Sequence, residues 1–157
     1  MEQLTPQVMH KLVFTVLVHG LPDAQVGIAL DVLLEALQHP NQQVRELAVV
    51  ALAELQVSPA KRVAALMKAL QDNSARVRRR SGRSLRDYRR HARPSVAALT
   101  DGLRDQDTSV SRDSAGALGR LGPAAAPGTT ALVALLGEPD TRTRVVLAAT
   151  LKRIGRL

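Results

Sequence analysis

Apolar residues recur at a fixed interval of 33 residues from about Leu30 to Leu157, and this interval constrains the fold more than any other property of the chain. Leu33, Leu66, Leu99 and Leu132 form one column. Leu37, Leu70, Leu103 and Leu136 form a second, and Leu52, Leu85, Leu118 and Leu151 a third. A period of roughly 20–50 residues marks an array in which each unit buries its apolar face against the next. Each unit reads as two helices. The first helices are expected at 25–38, 59–71, 93–104 and 125–137, and the second at 42–56, 75–90, 108–121 and 141–155. Asn41, Ser74, Asp107 and Asp140 share the register that opens the second helix, and each can accept from the unpaired N–H groups of a first turn. Pro40 and Pro139 precede two of these caps and stop the helix before them.

The predicted fold is therefore all-α. It is one domain over 1–157: an N-terminal capping helix in 1–23, then helical hairpins at 24–57, 58–90, 91–122 and 123–157. Phe14 and Tyr88 are the only aromatic residues, so the core must be built from Leu, Val, Ile and Ala. Thin layers of stacked helices suit that composition. The capping helix is expected over about 5–19, ended by Gly20 and Pro22. Its apolar run, Leu12 to Val18, is too short to span a membrane and lacks a basic leader, which points to a cytoplasmic protein.

Small and apolar residues line one side of each second helix. Val44, Ala48, Ala51, Leu52 and Leu55 recur as Val77, Ser81, Ser84, Leu85 and Tyr88, then as Val110, Ser114, Ala117, Leu118 and Leu121. Gly82 would cost an isolated helix about 1 kcal/mol relative to Ala, so close packing is expected there. The last helix differs. Val145 to Ala149 is an apolar run around the helix, whereas a terminal repeat normally turns a polar face outward. A homo-oligomer formed through this helix is one expectation.

With these residues in view, the chain resembles the bacterial HEAT-repeat family, in particular the short HEAT-like repeats first described in phycobilisome lyases. The matching pattern is Leu-x-x-x-Leu-x-Asp, a short loop, then Val-Arg-x-x-Ala-x-x-Ala-Leu-x-x-Leu. It appears as Leu66 to Asp72 followed by Val77-Arg78 to Tyr88, with Val44-Arg45 to Leu55 and Ala117 to Gly122 in the flanking repeats. The resemblance covers 25–157 and implies an α-solenoid whose second helices line the concave side. It also implies a structural ladder between layers, from the Arg that opens a second helix to the acid that ends a first helix. By position this assigns Arg45, Arg78 and Arg144, with Asp72, Asp105 and Glu138. The acid is missing at His39 and the Arg at Ser111, so gaps are expected in the first and third repeats.

Charge is unevenly distributed. Residues 1–60 carry a net −4, residues 61–104 a net +10, and the remainder +2. The excess concentrates in the second helix of the second repeat. On a helix turning about 100° per residue, Arg76, Arg79, Arg80, Arg83 and Arg90 share one arc opposite the apolar stripe, with Arg86 at its flank. Asp87 is the only acid within that helix, so the row is expected to be left without carboxylates of its own. Guanidinium groups are charged at any working pH and offer a planar donor fork to carboxylate or phosphate. Arg76, Arg79, Arg80, Arg83, Arg86 and Arg90 are thus the candidate anion-binding residues.

No catalytic constellation accompanies them. There is no Cys, which excludes disulfides, thiolate nucleophiles and Cys-type metal sites. His10 and His19 lie nine apart with no carboxylate between them, a poor metal site. No His is followed by Glu, unlike the metal-binding pairs of HEAT-like deoxyhypusine hydroxylases. The hydroxyls lack an adjacent base, and Gly119-x-x-Gly122 ends a helix without a preceding strand, so it is not a phosphate loop. The expectation is a non-enzymatic scaffold without cofactor or metal, recognising an acidic protein surface. One alternative is nonspecific binding of nucleic-acid backbone by the same row, without base stacking. Another is a chromophore-lyase-like subunit, which only the resemblance supports. The row could also pair with the acidic N-terminal half of another copy.

Overall fold

A computed structural model of the protein describes residues 4–86, 93–137 and 140–155. Asp87, Tyr88, Arg89, Arg90, His91, Glu138 and Pro139 lie outside the described residues. Among the described residues there are nine α-helices: α1 Pro6–Phe14, α2 Asp23–Ala36, α3 Gln42–Glu54, α4 Pro59–Ala69, α5 Ala75–Leu85, α6 Val96–Gly102, α7 Thr108–Leu121, α8 Thr129–Ala134 and α9 Thr141–Ile154. There is no strand among the described residues. The molecule is an α-solenoid of stacked hairpins.

The second helices stack side by side, α3 on α5, α5 on α7 and α7 on α9, and α1 extends this row by packing on α3. The first helices α2, α4 and α6 lie outside it and pack mainly on the second helices. The leucine columns form the seam between the two layers. Leu33, Leu66, Leu99 and Leu132 are fully buried, as are Leu52, Leu118 and Leu151, with Leu85 nearly so. Burying one such side chain contributes about 1.5–3 kcal/mol, so the period itself supplies most of the driving force.

Caps and prolines set the element ends. Asn41 Oδ1 accepts from the Gln43 N–H, Asp107 Oδ1 from Ser109 and Val110, and Asp140 from Thr143. Ser74 departs from expectation, because its side chain makes no capping bond. Asp72 Oδ1 accepts from the Ser74 N–H at 2.8 Å, and Asp105 repeats this geometry with the Asp107 N–H at 2.9 Å. In the first repeat His39 Nδ1 takes the same position, accepting from Asn41 at 3.0 Å.

Two segments are less regular than the periodicity predicts. The capping helix ends at Phe14 and widens into a π turn over Thr15–His19 before Gly20, whose φ of 65° ends it. The first helix of the last repeat is broken into a 3₁₀ stretch over Gly122–Gly128, the short α8, and a 3₁₀ turn at Leu135–Gly137. Pro127 inside the first stretch cannot donate a backbone hydrogen bond, and Gly128 weakens the start of α8.

Gly82 is also not what the sequence suggests. A Cβ built there meets Leu70 Cδ2 at 3.7 Å and Asp113 Cβ at 3.8 Å, ordinary contact distances. Closer approaches lie elsewhere: a Cβ at Gly102 would crowd the Ser114 side chain, one at Gly128 would sit 2.9 Å from Thr100 Oγ1, and one at Gly119 would sit 2.8 Å from Thr150 Oγ1 and 3.3 Å from Thr150 Cα.

The repeat register explains the last helix. Val49, Gly82 and Ala115 occupy one column and are buried by the next second helix, while Ala148 in the same column is exposed. Val145, Ala149 and Lys152 are exposed beside it, and Val145 is 64% accessible. Interior repeats place Glu46, Arg79 and Arg112 in the Val145 column. The outward face of α9 thus has an exposed apolar centre.

Candidate anion-binding face

The arginine row sits on α5 because α5 spends few positions on the core. Val77, Ser81, Gly82 and Leu85 are its buried residues, and the Ser81 hydroxyl donates to the Leu66 carbonyl. The helix is held to its neighbours by a polar ladder as well as by this thin stripe. Arg45 Nε and Nη2 donate to the two oxygens of Asp72 at 2.7 and 3.0 Å, while its Nη1 donates to the His39 and Pro40 carbonyls. One repeat later, Arg78 does the same with Asp105 at 2.6 and 2.8 Å, and with the Asp72 and Asn73 carbonyls. Each Arg therefore closes its own hairpin loop and ties it to the next layer.

Electrostatics follow from that geometry. The hydrogen bond to Asp105 raises the Arg78 pKa above its usual value, against the opposing effect of burial. For Asp105, burial pushes the carboxyl up, but the Arg78 fork, the Asp107 N–H and the Arg78 charge together hold it below the ordinary carboxylate value. The third layer lacks this bidentate pair. Ser111 donates its hydroxyl to the Leu103 carbonyl at 2.8 Å, and Arg112, one residue on, reaches Asp140 at 3.3 Å. Thr143, through its hydroxyl and N–H, holds Asp140 below the ordinary value. Arg144 donates to Thr141 Oγ1 at 3.0 Å. The ladder acid assigned to this layer, Glu138, is among the positions not described.

Arg76, Arg79, Arg80, Arg83 and Arg86 lie along the solvent side of α5, from 74% exposed at Arg76 to 32% at Arg86. The row is not free of counter-charge, which corrects the expectation drawn from the helix alone. Glu46 of α3 lies 3.4 Å from Arg76 and 3.3 Å from Arg80. Asp113 of α7 lies 3.3 Å from Arg79 and 3.9 Å from both Arg83 and Arg86. Both carboxylates are largely covered, at 16% and 13% exposure. Among the described residues, five guanidinium groups thus share two carboxylates, which leaves three positive charges in excess along the face. Glu46 and Asp113 sit about one repeat away from the row in sequence, so only stacking brings them there.

Two grooves run between α3 and α5. One of about 390 Å³ is lined by His10, Gln42, Gln43, Glu46, Leu47, Val50, Arg76 and Arg80. The other, about 500 Å³, involves Arg62, Arg80, Arg83 and Arg86. Arg80 borders both. The remaining candidates stay apart. His10 Nδ1 lies 2.8 Å from the Pro6 carbonyl, and His19 packs edge-on against Phe14. No group of three or more metal-ligating side chains occurs among the described residues.

The family model described as HEAT repeats matches residues 30–119, more than half of the chain. The chain belongs to the HEAT-repeat family. No curated protein matches this HEAT-repeat protein in sequence. Solved structures do match its fold. A designed armadillo repeat protein in complex with the peptide (KR)4 aligns with a TM-score of 0.72 and 15% identity, over 98% of this chain and 77% of that one. Human deoxyhypusine hydroxylase aligns at 0.64 and 25% identity, over 82% of this chain and 44% of that one. The complex of CpcE and CpcF of phycocyanin lyase from Nostoc sp. PCC7120 aligns at 0.61 and 16% identity, over 93% and 99%. Such repeat folds typically serve as protein-binding scaffolds. No described helix is long and apolar enough to cross a membrane.

Proposed function

We propose that the protein is a non-catalytic scaffold that holds an acidic segment of a partner protein against the inner layer, through Arg76, Arg79, Arg80, Arg83 and Arg86. The observation that carries this reading is the five-to-two ratio of guanidinium to carboxylate on one exposed helix face. Like charges held this close repel one another and destabilise an isolated helix, so an acidic ligand relieves a cost already present. The designed armadillo protein, complexed with a basic peptide, offers a precedent of opposite sign. A non-catalytic role fits the local chemistry, since the Ser111 and Thr150 hydroxyls donate to backbone carbonyls rather than to a base. The chromophore-lyase alternative rests on fold likeness alone.

Glu46 and Asp113 disfavour a continuous polyanion, because a nucleic-acid backbone laid along α5 would meet both carboxylates. The test is fluorescence anisotropy with an Asp/Glu-rich peptide and, separately, with duplex DNA, over a salt series. The peptide is expected to bind, and Arg79→Glu, Arg80→Glu and Arg83→Glu together to abolish binding with helicity unchanged. Retention of duplex with a log–log salt slope near −2.7 (about 0.9 for each of three charges), and none of the peptide, would overturn the reading in favour of nucleic acid.

A second reading concerns assembly. The exposed Val145 and Ala148 stand in columns that the interior repeats charge and bury respectively, and Ala149 is exposed beside them. We propose that α9 also mediates self-association.

A further inference from the structure

The larger groove on the α3–α5 seam has a composition of its own. It is formed where α3 and α5 end and α4 begins, and its walls are Ala53, Glu54, Arg62, Arg80, Arg83, Ser84 and Arg86. Four of these are arginines and one is an acid. The arginines come from two different elements, Arg62 from the first-helix layer and the other three from α5, so they converge from two sides. Arg62 Nη1 also donates to the Ala53 carbonyl at 3.5 Å. Arg80 is shared with Glu46. Arg83 and Arg86 approach Asp113 no closer than 3.9 Å, beyond hydrogen-bond distance. The Ser84 hydroxyl lies on the same wall.

Building on the acidic-partner reading, we infer that this groove is a phosphate subsite, and that the group it takes is the phosphoryl of a phosphorylated serine or threonine in the partner segment. Three arguments favour a phosphoryl over a carboxylate. One carboxylate brings a single charge and two oxygens, against a net of three positive charges on the four arginines and one glutamate that line the groove among the described residues. A phosphomonoester brings close to two charges at neutral pH and three terminal oxygens. The planar guanidinium fork pairs with two of those oxygens at once. The volume of about 500 Å³ lies within the range of small-ligand sites, ample for a phosphorylated side chain and wider than a lone carboxylate needs.

The choice of a protein ligand over a nucleic acid rests on the surroundings. Among the described residues none of the groove's walls is aromatic, so none of them offers a platform for a base. Glu46 and Asp113 lie to either side of α5 and interrupt the row. They tolerate one concentrated dianion in the groove and oppose an unbroken line of phosphates.

The experiment uses one Asp/Glu-rich peptide in three forms, with a central Ser, phosphoserine or Glu, against the full chain. The phosphoserine form is expected to bind at least about tenfold more tightly than the Glu form. That preference should disappear in Arg62→Gln and in Arg86→Gln, each checked for unchanged helicity by circular dichroism. Inorganic phosphate at millimolar concentration should displace the phosphopeptide and leave the Glu peptide bound. Equal binding of the phosphoserine and Glu forms overturns the phosphate subsite and leaves the acidic-partner reading standing. A preference that survives in both variants places the phosphate elsewhere and also overturns the subsite. Failure of all three peptides to bind removes the acidic-partner reading and this inference with it.

Discussion

Replacing Arg78 with Met should weaken the polar framework substantially. The substitution keeps the aliphatic stem and deletes four hydrogen bonds, two to Asp105 at 2.6 and 2.8 Å and two to the Asp72 and Asn73 carbonyls at 2.8 and 3.1 Å. The pair is mostly covered, with side-chain exposure of 18% for Arg78 and 10% for Asp105. Solvent screening is therefore weaker than for a surface pair. A hydrogen bond to a charged partner contributes about 1.5–3 kcal/mol net, and a stranded carboxylate adds its desolvation penalty. A loss of about 3 kcal/mol is expected, with a fall in Tm of roughly 6–12 °C for a chain of this size. Urea unfolding followed by circular dichroism measures it. In a double-mutant cycle with Asp105→Asn, the coupling should reach about 2 kcal/mol at pH 7. Because the folded state holds the Asp105 carboxyl below its ordinary value of 3.8, its contribution is present above that value and is lost as pH falls through the lowered one. The coupling should therefore shrink on acidification below about pH 4. A coupling under about 0.5 kcal/mol at pH 7, or one that does not change on acidification, would refute the ladder as a source of stability.

Packing and assembly give further expected outcomes. Gly82→Ala should raise stability by up to about 1 kcal/mol, because the helix gains propensity and the new Cβ meets only ordinary contacts. Gly119→Ala should lower stability by about 1–3 kcal/mol, because Thr150 stands in the way, so thermal melts that move in the same direction for both would refute this account. Multi-angle light scattering should report self-association that Val145→Glu abolishes, and a monomer at high concentration would dispose of the α9 interface.

The fold was readable in the sequence to a large degree, for a physical reason. Each leucine column repeats the same burial problem, and only stacking at a 33-residue interval solves it four times over. Caps at Asn41, Asp107 and Asp140 added the helix starts. Legibility failed where one residue's role depends on a neighbour in space. Ser74 reads as a cap, yet its side chain makes no capping bond; its own N–H is held by Asp72, a carboxylate that Arg45 also engages. Gly82 reads as a close contact, yet the close contacts fall at Gly102, Gly119 and Gly128, where the obstructing atoms belong to side chains far away in sequence or on another helix. The fourth first helix reads as continuous, yet Pro127 and its glycine neighbours divide it.

The candidate site divides in the same way. The arginine row comes from helical geometry alone, since five side chains at those spacings must share a face of α5. Glu46 and Asp113 do not come from it. They belong to helices one repeat before and one after, and nothing local in their sequence marks them as partners of α5. Arg62 joins the larger groove only because α4 folds back beside the end of α3. By itself, then, the sequence determined the period, the helical hairpins and the excess of positive charge on one helix. The tertiary structure alone decided how much of that charge is neutralised and where the remainder gathers, because Coulomb interactions depend on separation in space and stacking sets those separations.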